Sequence, residues 1–164
     1  MKNAILSLFL VAAALVATAQ AKPVPSVKLQ DMTGATVDTG ALENEGNPVV
    51  ICFWATWCSP CKKELNNYAD LYTDWQEEFG VKIIAVTIDD QRSKARVKPY
   101  VDGVAWEYDV LYDPNRDFAR AMGVQTPPHT FVVDGEGNIV HSHVGYTDGD
   151  EDELEETLRE ITGG

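Results

Sequence analysis

The chain has 164 residues and a formal net charge of −13, with 26 Asp and Glu against 13 Lys and Arg. Such an excess of acid argues against nucleic acid as a partner and against docking on anionic lipid, because like charges repel. The length is that of a single domain with a sizeable hydrophobic core.

The first residues are typical of a secretory signal. Lys2 supplies the positive start, and the apolar run Ile5–Val16 is too short for a membrane span. Ala19–Ala21 forms a small-x-small cleavage site. We therefore expect a cleaved signal peptide over residues 1–21, a mature domain over residues 22–164, and an exported, periplasmic protein. The alternative is an uncleaved membrane anchor.

The mature chain begins with strand signals. Val27–Leu42 predicts a hairpin or two short strands around a Thr-Gly turn. Val49–Trp54 is a continuous apolar run, which is typical of a central parallel strand covered on both faces. Cys52 lies inside this run, so we expect it to be a buried thiol that behaves as a small hydrophobe.

A long amphipathic helix follows the central strand. Its apolar residues recur at steps of three and four, which places them on one helical face: Cys61, Leu65, Tyr68, Tyr72, Trp75 and Phe79. Pro60 is tolerated in the first turn, and Gly80 ends the helix. Cys61 should therefore be buried, and Cys58, which precedes the stripe, should be more exposed.

The remaining chain alternates strands and helices. The predicted elements are a buried strand Val81–Ile88, a helix from about Asp90 to Val101 ended by Gly103, a strand Trp106–Tyr112, a short helix Pro114–Met122, a hairpin of Thr130–Val133 with Ile139–Val144, and an acidic helix from about Asp150 to Ile161. This order predicts an α/β sandwich with a mixed central sheet and helices on both faces.

The stretch Phe53–Cys61, FWATWCSPC, joins the central strand to this helix. Its two cysteines are spaced so that their sulfurs can meet across one helical turn. A helix N-terminus offers free N–H groups and the positive end of the dipole, which favour a thiolate. Cys58 is therefore suited to attack a disulfide, and Cys61 to resolve the mixed disulfide that forms.

Other uses of the two cysteines are weaker. A structural zinc site needs a second Cys/His pair, and the sequence has no second C-x-x-C. A purely structural disulfide would gain little loop entropy over so short a loop. A module that handles Cu(I) is the main alternative, with Cys58, Cys61 and one of His129, His141 or His143 as ligands. The last two histidines share one face of a strand. Otherwise we expect no metal and no cofactor besides the redox-active disulfide.

Two segments carry a resemblance to a known family. Trp54–Cys61 and Gly123–Asp134, GVQTPPHTFVVD, resemble thioredoxin-fold proteins, and more closely the exported TlpA/ResA-type branch. The resemblance extends from about Val27 to the end. It implies a thioredoxin-like three-layer sandwich with an extra N-terminal hairpin and a helix–strand insertion over Asp89–Asp113. It also implies a thiol–disulfide oxidoreductase.

The resemblance assigns site residues one by one. Cys58 matches the attacking cysteine, Cys61 the resolving one, and Pro128 a cis proline that faces the pair. Glu64 matches an acid next to the pair, where it could relay protons; the alternative is an ordinary exposed helix glutamate. The residues expected to meet substrate are Trp57, Ser59, Pro60, Pro127 and Pro128.

The chain departs from the family at two positions. Cys52 stands where thioredoxin has a buried aspartate, so a proton relay must be Glu64 or water. Pro127 precedes the expected cis proline and has no N–H to pair with a substrate backbone.

The resemblance also implies partners. These are protein disulfides and dithiols together with a membrane electron donor, and we expect a monomer that binds no nucleic acid. The Ser-Pro pair between the cysteines keeps the proline of thioredoxin and lacks a DsbA-type histidine, which favours a reductant. A peroxiredoxin-type peroxidase is disfavoured, because Ala55 stands at the threonine position of that motif.

Overall fold

A computed structural model of the protein describes residues 22–42 and 44–163. The predicted signal peptide lies outside these residues and stays a prediction. Within the described part, the strands are β1 (Lys22–Pro23), β2 (Lys28–Asp31), β3 (Thr36–Asp38), β4 (Val49–Trp54), β5 (Lys82–Thr87), β6 (Asp109–Tyr112), β7 (His129–Val133) and β8 (Asn138–Val144). The α-helices are α1 (Ser59–Phe79), α2 (Val97–Val104), α3 (Asp117–Met122) and α4 (Asp150–Thr162).

The strands form one mixed sheet in the order β1-β8-β7-β4-β5-β6-β2-β3. β4 and β6 run parallel to β5, because the connections through α1 and α2 return the chain to the same end of the sheet. β7 runs antiparallel to β4, and β8 antiparallel to β7. The β2–β3 hairpin pairs with β6, as an N-terminal addition to the sheet.

β4 is the centre of the core, and all six of its residues are buried. Side chains alternate along the strand, so the two faces of β4 contact different helices. The Phe53 ring contacts Phe118 of α3 on one face. The Trp54 ring contacts Tyr100 of α2 on the other. The helices therefore cover both faces of the sheet, and the predicted three-layer sandwich is confirmed.

α1 carries the predicted apolar stripe, whose six members are all buried. At its start, the Cys58 sulfur accepts a hydrogen bond from the Cys61 amide at 3.3 Å and so caps the helix. At its end, Gly80 has a φ of +65°, which only glycine adopts at little cost, and its N–H donates to the Gln76 carbonyl. The predicted bounds of this helix are confirmed.

The segment after β5 differs from the prediction. The chain makes a turn after Asp90, because the Asp90 carboxylate accepts hydrogen bonds from the amides of Arg92 and Ser93. A 3₁₀ turn over Lys94–Arg96 follows, and α2 begins only at Val97. Gly103 does not end the helix; the chain leaves it at Ala105, with a φ of +53°.

Two further boundaries lie later than predicted. β6 begins at Asp109 instead of Trp106, because the Trp106 indole packs on Trp54 and donates to the Asn66 side chain of α1 at 2.9 Å. α3 begins at Asp117, because the Asp113 carboxylate accepts the Asp117 amide at 2.7 Å and thereby caps the helix from four residues upstream. At the other edge of the sheet, β1 pairs with β8.

Candidate active site

The two motif cysteines form a disulfide where β4 gives way to α1. Their Cα atoms lie 5.3 Å apart, across the first helical turn. Cys58 is 5% exposed and Cys61 is fully buried, so Cys58 is the more exposed of the two, as predicted, although the difference is small. Because Cys58 is the N-cap of the helix, its sulfur lies at the positive end of the helix dipole.

A buried carboxylate fixes the loop in front of Cys58. Asp89, directly after β5, accepts hydrogen bonds from the Thr56 amide at 2.7 Å and the Thr56 hydroxyl at 2.6 Å. It also accepts one from the Thr87 hydroxyl at 2.7 Å. The sequence alone does not single out Asp89 for this role. The signal was available, because functional side chains of open α/β sheets collect at the carboxyl ends of parallel strands.

Glu64 is fully buried one turn after Cys61 and is not an ordinary exposed helix glutamate. Its Oε1 accepts hydrogen bonds from the Thr130 hydroxyl at 2.7 Å and from the Tyr68 hydroxyl at 3.3 Å. Its Oε2 is buried without a partner among the described residues. Burial raises the pKa of the Glu64 carboxyl to about 7, although the two hydrogen bonds act in the opposite direction.

Cys52 completes a buried polar cluster that consists of Cys52, Glu64, Tyr68 and Thr130. Cys52 and Thr130 are cross-strand partners in β4 and β7, so their side chains share one face of the sheet. Cys52 is fully buried, as predicted. Burial, together with the nearby Glu64 charge, raises the pKa of this thiol well above its usual range. Cys52 is therefore a neutral thiol at ordinary pH.

Pro128 lies at the same end of the sheet as the cysteine pair. It directly precedes β7, whose first residue His129 pairs with Phe53 of β4. The peptide bond between Pro127 and Pro128 is cis, the conformation that the family resemblance implies. Pro128 is buried, and its carbonyl accepts the Gly145 amide at 2.9 Å. Pro127 is only half-buried, so it faces the solvent side of this loop.

Three uncharged residues next to the pair are exposed. Trp57 is 58% exposed, and Ser59 and Pro60 are also exposed. A flat aromatic ring next to a reactive sulfur gives a partner protein apolar area to cover.

The histidines do not join the cysteines. His141 and His143 share one face of β8, as predicted, and point at α4, where His143 Nε2 lies 3.0 Å from Asp150 and His141 Nε2 lies 3.7 Å from Glu153. His129 stacks on Phe131 at 4.2 Å. Within residues 22–42 and 44–163, no three His, Cys, Asp or Glu side chains are grouped to hold a metal ion. The copper alternative therefore finds no support in this part of the chain.

The chain is similar in sequence to known proteins. Residues 21–142 match the AhpC/TSA family. The chain is 30% identical over 141 residues to the thiol-disulfide oxidoreductase ResA of Bacillus thuringiensis (strain Al Hakam), which covers 86% of this chain and 78% of ResA. It is 32% identical over 127 residues to the thiol:disulfide interchange protein DsbE of Yersinia pestis, which covers 76% of this chain and 63% of DsbE.

The fold has solved relatives as well. The solution structure of an uncharacterized thioredoxin-like protein from Porphyromonas gingivalis aligns with a TM-score of 0.77 and 48% identity. This alignment covers 88% of this chain and 95% of that one. The described residues contain no helix that is both long and apolar enough to cross a membrane.

A thioredoxin-like fold with a C-x-x-C disulfide at the start of a helix defines a thiol–disulfide oxidoreductase. The predicted class of enzyme and the predicted fold are thus confirmed. The chain belongs to the AhpC/TSA family, and within it to the group of ResA-type thiol–disulfide oxidoreductases.

Proposed function

We propose that the protein is an exported reductant of protein disulfides, in which Cys58 attacks, Cys61 resolves and Glu64 takes and returns the proton. The observation that carries this proposal is the buried Glu64 carboxyl one turn after a C-x-x-C disulfide, with one oxygen unpartnered among the described residues. The names of ResA and DsbE support the same chemistry.

The proposed reaction has two sulfur-exchange steps. In the first, the Cys58 thiolate bonds to one substrate sulfur, and the other substrate sulfur leaves as a thiolate. In the second, the Cys61 thiol gives its proton to Glu64 and its sulfur bonds to Cys58. The Cys58–substrate bond breaks, and the second substrate sulfur leaves as a thiolate that takes the proton back from Glu64. The substrate gains two electrons and the protein is left with the Cys58–Cys61 disulfide. A dithiol of a membrane electron donor would restore the reduced pair.

Glu64 suits the second step because its pKa of about 7 lies close to ordinary pH. A group whose pKa is near the working pH is present in both protonation states and can both accept and release a proton. Glu64 is also a neighbour of Cys61 by helical spacing. Cys52, in the place of the thioredoxin aspartate, does not replace it, because a neutral thiol is a poor base.

Substrate contact is proposed for five residues around the pair. Trp57, Ser59 and Pro60 border Cys58 in the chain, while Pro127 and Pro128 form a bend before β7, at the same end of the sheet as Cys58. Pro127 offers only its carbonyl as an acceptor, since it has no N–H. A substrate backbone would therefore donate to this segment, and its own carbonyls would pair elsewhere.

The direction of electron flow can be measured by equilibrating the Cys58–Cys61 pair with thiol redox buffers. We expect a potential nearer the thioredoxin value of about −270 mV than the DsbA value of about −120 mV. A potential above about −180 mV, the value of protein disulfide isomerase, would contradict a reductant. Insulin reduction and peroxide consumption by the reduced protein, measured in parallel, separate this function from a peroxidase.

Substrates and export need separate experiments. A Cys61→Ser variant should hold its substrates as mixed disulfides on Cys58, from which they can be identified by mass spectrometry. A Cys58→Ser/Cys61→Ser variant is the control and should trap none. Export predicts that the protein recovered from the producing cell begins at Lys22; recovery of the full-length chain in the cytoplasm would contradict it. Light scattering tests the expected monomer.

A further inference from the structure

The hydroxyl of Thr130 lies against Glu64 and is absent from the sequence-based site. Thr130 is buried in β7, on the strand that follows the Pro127–Pro128 segment. Its register places it opposite Cys52 of β4, on the face of the sheet that α1 covers. Its hydroxyl donates to Glu64 Oε1 at 2.7 Å, while the Tyr68 donor is at 3.3 Å. Thr130 is therefore the closer of the two donors.

Both donors bind the same carboxylate oxygen. Glu64 Oε1 accepts from Thr130 and from Tyr68, while Oε2 is left without a partner in the described residues. A proton on Oε1 would have to displace one of these donors. A proton on Oε2 displaces nothing. The two oxygens are thus made chemically different by their surroundings.

From this asymmetry we infer that Thr130 is a positioning residue, whose hydroxyl holds Glu64 Oε1 and so assigns the exchangeable proton to Oε2. The inference rests on the proposed role of Glu64 in the Cys61 step. Proton transfer then needs no rearrangement of Thr130 or Tyr68, because both donors stay on Oε1 in either protonation state. A fixed donor set of this kind is preorganised for the transfer.

Other titratable side chains face Glu64 and affect its pKa. Cys52 from β4 and Tyr68 from α1 are both held neutral at ordinary pH, since burial raises the pKa of each. Asp150 from α4 raises the pKa of Glu64 through its negative charge, and it is itself paired with His143 of β8 at 3.0 Å. Two hydrogen bonds lower the pKa of Glu64, and the one from Thr130 has the larger effect.

The test uses the reaction of the reduced protein with Ellman's reagent, in which Cys58 releases one coloured thiolate and Cys61 then releases the second. The rate of the second phase against pH reports the group that takes the Cys61 proton. Thr130→Val removes the hydroxyl and keeps the shape. We expect this variant to move the midpoint of the pH–rate profile of the second phase upward by about one pH unit, because one hydrogen bond to the carboxylate is lost. Below the midpoint the second phase should slow about tenfold.

Matched variants separate the possible outcomes. Thr130→Ser keeps the hydroxyl and should reproduce the parent profile; a shift there as large as in Thr130→Val would show that shape matters and overturn the inference. Glu64→Gln should abolish the midpoint, and adding Thr130→Val to it should change nothing further. If Glu64→Gln keeps the parent midpoint, the proposed role of Glu64 itself fails.

The remaining outcome concerns the inference alone. If Glu64→Gln abolishes the midpoint while Thr130→Val leaves it in place, Glu64 acts without help from Thr130. Should Thr130→Val not fold, as judged by circular dichroism, Thr130→Ala serves instead, because it removes the same hydroxyl. It should move the midpoint of the pH–rate profile upward in the same way. An unmoved midpoint in that variant would overturn the inference as well.

Discussion

The burial of Glu64 should make the stability of the oxidised protein depend on pH. The pKa of this carboxyl rises from 4.5 to about 7 on folding. The folded protein thus binds the proton more tightly than the unfolded chain, so the stabilisation from Glu64 is fully present below pH 4.5 and is lost as pH rises through 7. Each pKa unit corresponds to about 1.4 kcal/mol, so the whole loss is about 3 kcal/mol.

The measurement compares the parent protein with Glu64→Gln by urea unfolding at a series of pH values, with the disulfide intact. Glutamine keeps the size of the side chain and cannot ionise. We expect the free energy of unfolding of the parent, minus that of the variant, to fall by about 3 kcal/mol between about pH 4 and pH 9. Glu77→Gln, at an exposed position of the same helix, controls for the loss of one negative charge. A difference between parent and Glu64→Gln that stays constant with pH would refute the reasoning.

Three other predictions concern the cysteines and the hydrogen bonds from Thr56 to Asp89. In the reduced protein, iodoacetamide should modify Cys58 before Cys61, because Cys61 is fully buried and Cys58 lies at the helix N-terminus; mass spectrometry of early time points decides the order, and the reverse order would contradict the assignment. Replacing Cys52 by Ala should cost about 1 kcal/mol of unfolding free energy through a small cavity; insulin reduction should persist, and its loss in a folded variant would show that this thiol takes part. Asp89→Asn should weaken the bonds to Thr56 and slow insulin reduction several-fold with the fold intact; an unchanged rate would mean that the loop holds its position without them.

The central part of the fold could be predicted from local pattern. β4 is a continuous apolar run, and the stripe on α1 recurs at helical spacing, so both elements are determined by residues close together in sequence. The burial of Glu64 was also within reach, since it lies three residues after Cys61 and four before Tyr68 on the same stripe. The same spacing is also compatible with an exposed Glu64 at the edge of the stripe, so the sequence leaves both positions open.

What the sequence did not reveal depends on contacts between distant segments. Thr130 meets Glu64 only because β7 pairs antiparallel with β4 in one particular register. Asp89 reaches Thr56 only because β5 lies next to β4. The late start of α2 has a different cause, in that the Asp90 side chain competes with the helix for backbone amides. Periodicity carries no information about such competition.

The sulfur of Cys58 also caps α1, and this contact links the redox state of the sulfur to hydrogen exchange at the Cys61 amide. It caps α1 by accepting the Cys61 amide, so any change in the charge on this sulfur alters the strength of that bond. A thiolate is a stronger acceptor than a disulfide sulfur, and the bond in turn stabilises the thiolate. The Cys61 amide should therefore exchange its hydrogen with solvent more slowly in the reduced protein at neutral pH than in the oxidised protein. One backbone hydrogen, followed by NMR, would thus report the state of the reactive sulfur without any label attached to it.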